Sequence, residues 1–157
     1  GMARARRGET KAEDGALRAE RELASLLAAG ERVPEGLIRE EDFTDPACAF
    51  VARLALSGGR SRIQEALEQV EDEALRGDIT RLLTTGERVD PERRPQMIAD
   101  CTDRLRLRRL EREIDDCQAR AARPGLTLQE QVELATRLNQ LYDQVERLRR
   151  GAKGGEP

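Results

Sequence analysis

The sequence predicts an all-α protein: a compact helical bundle joined by a long shared helix to a C-terminal antiparallel helical hairpin. Three observations carry that reading. Aromatic residues make up only 2% of the 157, and Ala, Leu, Glu and Arg dominate, a bias toward helix and away from sheet. Gly and Pro fall at the ends of segments with helical apolar spacing. Beyond Pro95, no Gly or Pro interrupts the chain until about Ala122, so one long helix is expected there.

The elements follow in order. Residues 1–13 read as a linker without fixed structure. Gly1 before Met2 has the form of a tag remnant, and Ala3–Gly8 suits a connection from an upstream domain; a full-length chain with a cleaved tag is the other reading. A first helix is expected from about Asp14 to Ala29, with Leu17, Leu23, Leu26 and Leu27 on its apolar side and Gly30 as its stop. Asp45 is placed to cap a second helix that begins at Pro46, carries Phe50, Val51, Leu54 and Leu56, and ends at Gly58-Gly59. Ser61 and Gln64 have capping-box spacing before a short helix bearing Ile63, Leu67 and Val70. A further helix, about Asp72 to Thr85, offers Leu75, Ile79, Leu82 and Leu83 and stops at Gly86. Elements this short need one another's apolar faces to be stable.

The long helix carries the clearest physical signal. At 100° per residue, Ile98, Cys101 and Leu105 gather on one side, and Leu107, Leu110, Ile114, Cys117 and Ala121 on roughly the opposite side. A stripe that changes side cannot serve one core. The domains expected are therefore a bundle over 14–105 and a hairpin over 106–150, followed by a disordered tail, 151–157. Arg123-Pro124-Gly125 breaks the long helix, and Thr127 with Glu130 forms a capping box for the last one, which ends at Arg150.

On that last helix, Leu128, Val132, Ala135, Leu138, Tyr142 and Val145 form the stripe expected to be buried by the preceding helix. Leu134, Leu141 and Leu148 lie beside it. Together they span about 200° of arc, against the roughly 100° a surface helix needs, so part is expected to stay exposed as a docking surface.

Composition narrows the chemistry. Lys+Arg total 28 against Asp+Glu 31, a net charge of −3, which gives no general drive toward nucleic acid. With no histidine there is neither a His base nor a His metal ligand. Cys48, Cys101 and Cys117 are far apart, so no zinc site is expected, and buried thiols fit a reducing cytoplasm. No apolar run reaches the roughly 20 residues of a membrane span. The expectation is a cytoplasmic non-enzyme with no cofactor, no metal and no membrane contact. Glu40-Glu41-Asp42 and Glu71-Asp72-Glu73 read as helix-edge carboxylates rather than Mg²⁺ ligands. Arg104, Arg106, Arg108, Arg109 and Arg112 suit either a phosphate-contacting patch or a solvated, salt-laced face. Asp103, Glu111, Glu113, Asp115 and Asp116 nearby, and the lack of interleaved aromatics, favour the second.

Several stretches then align with a known family: Ala19–Leu27, Ile38–Pro46, Val70–Arg76, the Arg/Leu-rich Asp103–Glu113, Gly125–Gln131 and Leu138–Leu141. In their order and spacing, the chain resembles the C-terminal, helicase-binding domain of bacterial DnaG-type DNA primases over nearly all of 14–150. The resemblance implies a helical bundle followed by a hairpin, and a non-catalytic domain. Its partner would be the N-terminal domains of the hexameric replicative DNA helicase of the DnaB type, reached mainly through the hairpin. The residues expected to carry that contact are Leu134, Leu138, Leu141, Tyr142, Val145 and Leu148, with no direct nucleic-acid contact and a monomer in isolation. The helicase N-terminal domain is thought to share the same shape, so it stands as an alternative. Others are a self-associating structural protein, a nucleic-acid binder through Arg104–Arg112 and, last, an all-α enzyme.

Overall fold

A computed structural model describes residues 2–58 and 60–154, with side chains described for 15–58 and 61–151. The protein is all-α, and no strand occurs among the described residues. The helices are α1 (Met2–Ala28), α2 (Pro46–Gly58), α3 (Arg60–Leu67), α4 (Glu73–Arg88), α5 (Arg94–Ala121) and α6 (Leu128–Gly154), with a 3₁₀ turn at Glu40–Asp42. The chain divides into two compact units, residues 1–105 and 106–157, so the first half of α5 belongs to unit 1 and the second half to unit 2. The division falls where the apolar stripe of α5 changes side.

Several boundaries differ from the sequence reading, each for a local reason. The helix α1 begins at Met2 rather than Asp14. Its first residues are mostly Ala, Arg, Lys and Glu, all good helix formers, and Gly8 alone does not outweigh them. Likewise α6 passes Gly151 and runs to Gly154; Gly1, Gly59 and 155–157 lie outside the described residues. Ser61 falls inside α3 rather than capping it. The helix α4 starts from Asp72, whose side chain accepts the N–H groups of Ala74 (2.9 Å) and Leu75 (3.2 Å). It passes Gly86 and ends at Arg88.

Gly86 serves packing instead of termination. It is buried, and a Cβ there would sit 1.9 Å from the Ser25 carbonyl oxygen, so the missing side chain lets α4 approach α1 closely. Around this contact lies the core of unit 1: Leu23, Ala24 and Leu27 of α1, Phe43, Cys48, Val51 and Ala52, Ile63, Ile79, and Cys101 and Leu105 of α5. Asp45 caps α2 as expected from its position, its Oδ2 accepting from the backbone N–H groups of Ala47 and Cys48, both at 3.2 Å. Arg94 joins the end of α4 to the segment after α1. It donates to the carbonyls of Val89 (3.1 Å) and Gly86 (3.3 Å) and to Glu31 (3.2 Å).

Unit 2 has its own core, formed by Leu110, Ile114 and Cys117 of α5 and Leu134, Leu141 and Val145 of α6, with Leu107, Leu126, Leu138 and Leu148 packed against it. Residues 106–110 adjoin 144–148, and 117–123 adjoin 126–137, so the two helical segments run antiparallel. Gly125, at φ 82°, supplies the left-handed residue in the turn between them. Thr127 and Glu130 cap α6 reciprocally: Thr127 Oγ1 accepts from the Glu130 N–H (3.1 Å), and Glu130 Oε1 accepts from the Thr127 hydroxyl (3.0 Å).

Candidate interaction surface

The surface of α6 follows from which of its apolar residues α5 covers. Along α5, Leu107, Leu110, Ile114 and Cys117 recur at three- and four-residue steps, and along α6 so do Leu134, Leu138, Leu141, Val145 and Leu148. Both are the spacing of a two-helix seam, and they pack on each other. Leu141 is fully buried at the centre.

This corrects the sequence-based site. Of the six residues expected to meet a partner, Leu134, Leu141 and Val145 are buried in the seam, and Leu138 and Leu148 are partly buried against it. Only Tyr142 is exposed. Of the six residues expected to be covered by α5, Val145 and Leu138 are, but the other four are left open: Leu128 is 76% exposed, Val132 56% and Tyr142 46%, with Ala135 exposed between them. Leucines at 134, 141 and 148 bring more apolar area to the seam than Val132 and Ala135 do, so the leucine stripe takes the inside. The seven-residue leucine spacing, matched to the same spacing on α5, was the available signal.

At 100° per residue, Leu128, Val132, Ala135, Asn139 and Tyr142 fall within about 80° of one another, a single stripe on one side of α6. Tyr142 marks its border with α5: its hydroxyl accepts from Gln118 Nε2 at 2.7 Å. Arg149 to Glu111 (3.7 Å) and Arg137 to Glu113 (2.6 Å) further tie the two segments together. At the same step, the stripe is flanked by Gln131 on one side and by Asp143 and Thr136 on the other.

Among the described residues, no group of three His, Cys, Asp or Glu side chains is placed to hold a metal ion, and no helix is long and apolar enough to cross a membrane. All three cysteines are buried. Burial pushes the Cys48 thiol well above its ordinary range, with the negative charges of Asp45 and Glu20 adding to it. Burial, and then the adjacent Glu22 carboxylate, push Cys101 up to about 12. These two thiols stay protonated and are poor nucleophiles. No protein-family model matches this chain, and neither a curated protein nor a solved structure does.

Proposed function

We propose that the chain is a non-catalytic, cytoplasmic protein-interaction domain of a DNA primase. It would dock on the N-terminal domains of the hexameric replicative helicase and so couple primer synthesis to the fork. The single observation that carries the docking part is the open apolar stripe of Leu128, Val132, Ala135 and Tyr142. The seam with α5 is already filled by other residues, so this stripe is surplus to the packing of unit 2. An amphipathic helix or groove of a partner fits such a stripe, with apolar contact at the centre and polar contacts at the rim. The identity of the partner rests on the sequence resemblance, whose segments Gly125–Gln131 and Leu138–Leu141 fall on α6 and the turn before it.

The test is titration of the chain with purified helicase N-terminal domain. Val132→Asp and Tyr142→Ala are expected to weaken binding by about tenfold or more while leaving the helical spectrum intact. Unchanged affinity in both would overturn the assignment of the surface, and no binding by the unaltered chain would overturn the partner. Sedimentation of the chain alone separates this reading from self-association through the same stripe.

A further inference from the structure

A cleft of about 440 Å³ opens on unit 1 where α1, α4 and the start of α2 converge, inside the roughly 300–1,000 Å³ range of small-molecule sites. Its walls follow from helical spacing. Arg21 and Ser25 stand four residues apart on α1, and Asp78, Arg81, Leu82 and Thr85 recur at helical steps on α4, so each set shares one face. Asp45 and Ala47 close the third side. Backbone contacts fix these walls. Gly86 lies against the Ser25 carbonyl, and the buried Glu20 carboxylate holds the N–H groups of Thr44 and Asp45, each at 2.6 Å.

Two hydroxyls of this cleft differ from their counterparts elsewhere. On α4, Thr80 and Thr84 donate to the carbonyls four residues back, those of Arg76 (2.8 Å) and Thr80 (3.0 Å), and Thr136 on α6 does the same at 2.9 Å. The Ser25 and Thr85 hydroxyls make no hydrogen bond among the described residues, although Ser25 is only 3% exposed. A polar group so deeply placed ordinarily has a partner. Both border the cleft. The charges around them cancel locally: Arg21 stands 3.9 Å from Asp45, and Arg81 pairs with Asp78. An entering anion would meet a carboxylate beside each guanidinium, and a cation the reverse, so neither sign is favoured. The ion pairs still keep spare N–H donors and acceptor oxygens. Ala47 and Leu82, both buried, give an apolar floor.

We propose that the cleft of Arg21, Ser25, Asp45, Asp78, Arg81 and Thr85 binds a small neutral polyol, a molecule of sugar type with adjacent hydroxyls. Each ligand hydroxyl both donates and accepts, so it can meet guanidinium donors, carboxylate acceptors and the two protein hydroxyls in whatever order the rim presents them. The C–H face of such a ligand covers Leu82 and Ala47. The site lies wholly in unit 1 and does not rest on docking by α6.

The experiment is a titration of the ¹⁵N-labelled full chain with D-glucose, D-ribose and myo-inositol in turn, at constant ionic strength. Saturable amide shifts confined to 21–25, 45–47 and 78–85 are expected with at least one of them. The double variant Ser25→Ala/Thr85→Val should weaken that binding by about tenfold or more, while Thr84→Val, whose hydroxyl is already engaged by the helix, should leave it unchanged. If the double variant loses its helical spectrum, Thr85→Val alone, at an exposed position, should weaken binding by about threefold. Shifts that never saturate with any of the three probes, or an affinity that survives loss of the hydroxyls in a folded variant, would overturn the proposal. So would glycine or sulfate saturating the same amides at lower concentration, for that would show recognition of charge. None of these outcomes depends on the helicase titration.

Discussion

The Glu20 carboxylate and the Thr44 backbone are locked together: Oε1 accepts the Thr44 N–H at 2.6 Å, and Oε2 accepts the Thr44 hydroxyl at 3.0 Å. The same Oε1 takes the Asp45 N–H at 2.6 Å, and Glu20 is wholly buried. A charge from α1 thus holds the segment that launches α2. Glu20→Ala leaves two partly buried N–H groups without their acceptor and is expected to cost about 2 kcal/mol. Glu20→Gln keeps an amide oxygen for them and should cost about half as much. Urea unfolding followed by circular dichroism measures both, and equal losses would show that the charge itself is the essential part.

Gly86 and Gly77 both lie in α4 and should respond in opposite directions to alanine. At Gly86 the new methyl meets the Ser25 backbone, 1.9 Å from the oxygen and 2.6 Å from the carbon. Backbone cannot swing aside, so a loss of about 2–3 kcal/mol is expected. At Gly77 nothing lies within 4 Å, and Gly77→Ala should gain about 0.5–1 kcal/mol from reduced chain entropy. Thermal or urea midpoints of the two variants check both signs.

Leu141→Ala distinguishes a seam residue from a docking residue. The side chain is fully buried in the core of unit 2, so truncation should cost about 2–5 kcal/mol of packing and cavity energy. Val132→Asp, at a 56% exposed position, should change stability by less than about 0.5 kcal/mol. Limited proteolysis between 122 and 150 is expected to accelerate in the first variant and not in the second.

The thiols give a pH signature. Cys101 titrates near 12 in the fold, against an ordinary 9.0. Between those values the unfolded chain gives up this proton and the folded chain keeps it. Stability is therefore at its full value below 9.0 and falls as pH rises toward 12, by up to about 1.4 kcal/mol per pH unit. Cys48 shifts in the same direction and steepens the loss. Cys101→Ala should flatten the alkaline limb of a stability–pH curve. At a given pH below 9.0 far less of Cys101 is thiolate than in the unfolded chain, so alkylation should be slow until urea is added.

Much of the scaffold was legible because its signals are local. Asp45-Pro46 and Thr127–Glu130 act through residues two to four positions away, and both caps are present. The change of side along α5 was equally readable: Cys101 and Leu105 enter one core, Leu110, Ile114 and Cys117 the other. What escaped depends on distant partners. Glu20 reads as one more surface acid until the chain 24 residues later returns to it. Gly86 reads as a stop because only the approach of α1 gives it another purpose. The surface of α6 was misassigned for the same reason. Two apolar stripes competed for one neighbour, and the seven-residue rhythm of α5 selected the leucines and left Leu128, Val132 and Tyr142 outside.

The close crossing at Ser25 and Gly86 also bears on descent. Any chain that inherits it must keep a residue without a methyl at that point, however far the rest has drifted, because no compensating change in a neighbouring side chain can move a peptide carbonyl out of the way. Kinship to this fold is therefore better sought by a glycine facing the first helix than by overall likeness in leucine, glutamate and arginine, which unrelated helices acquire freely.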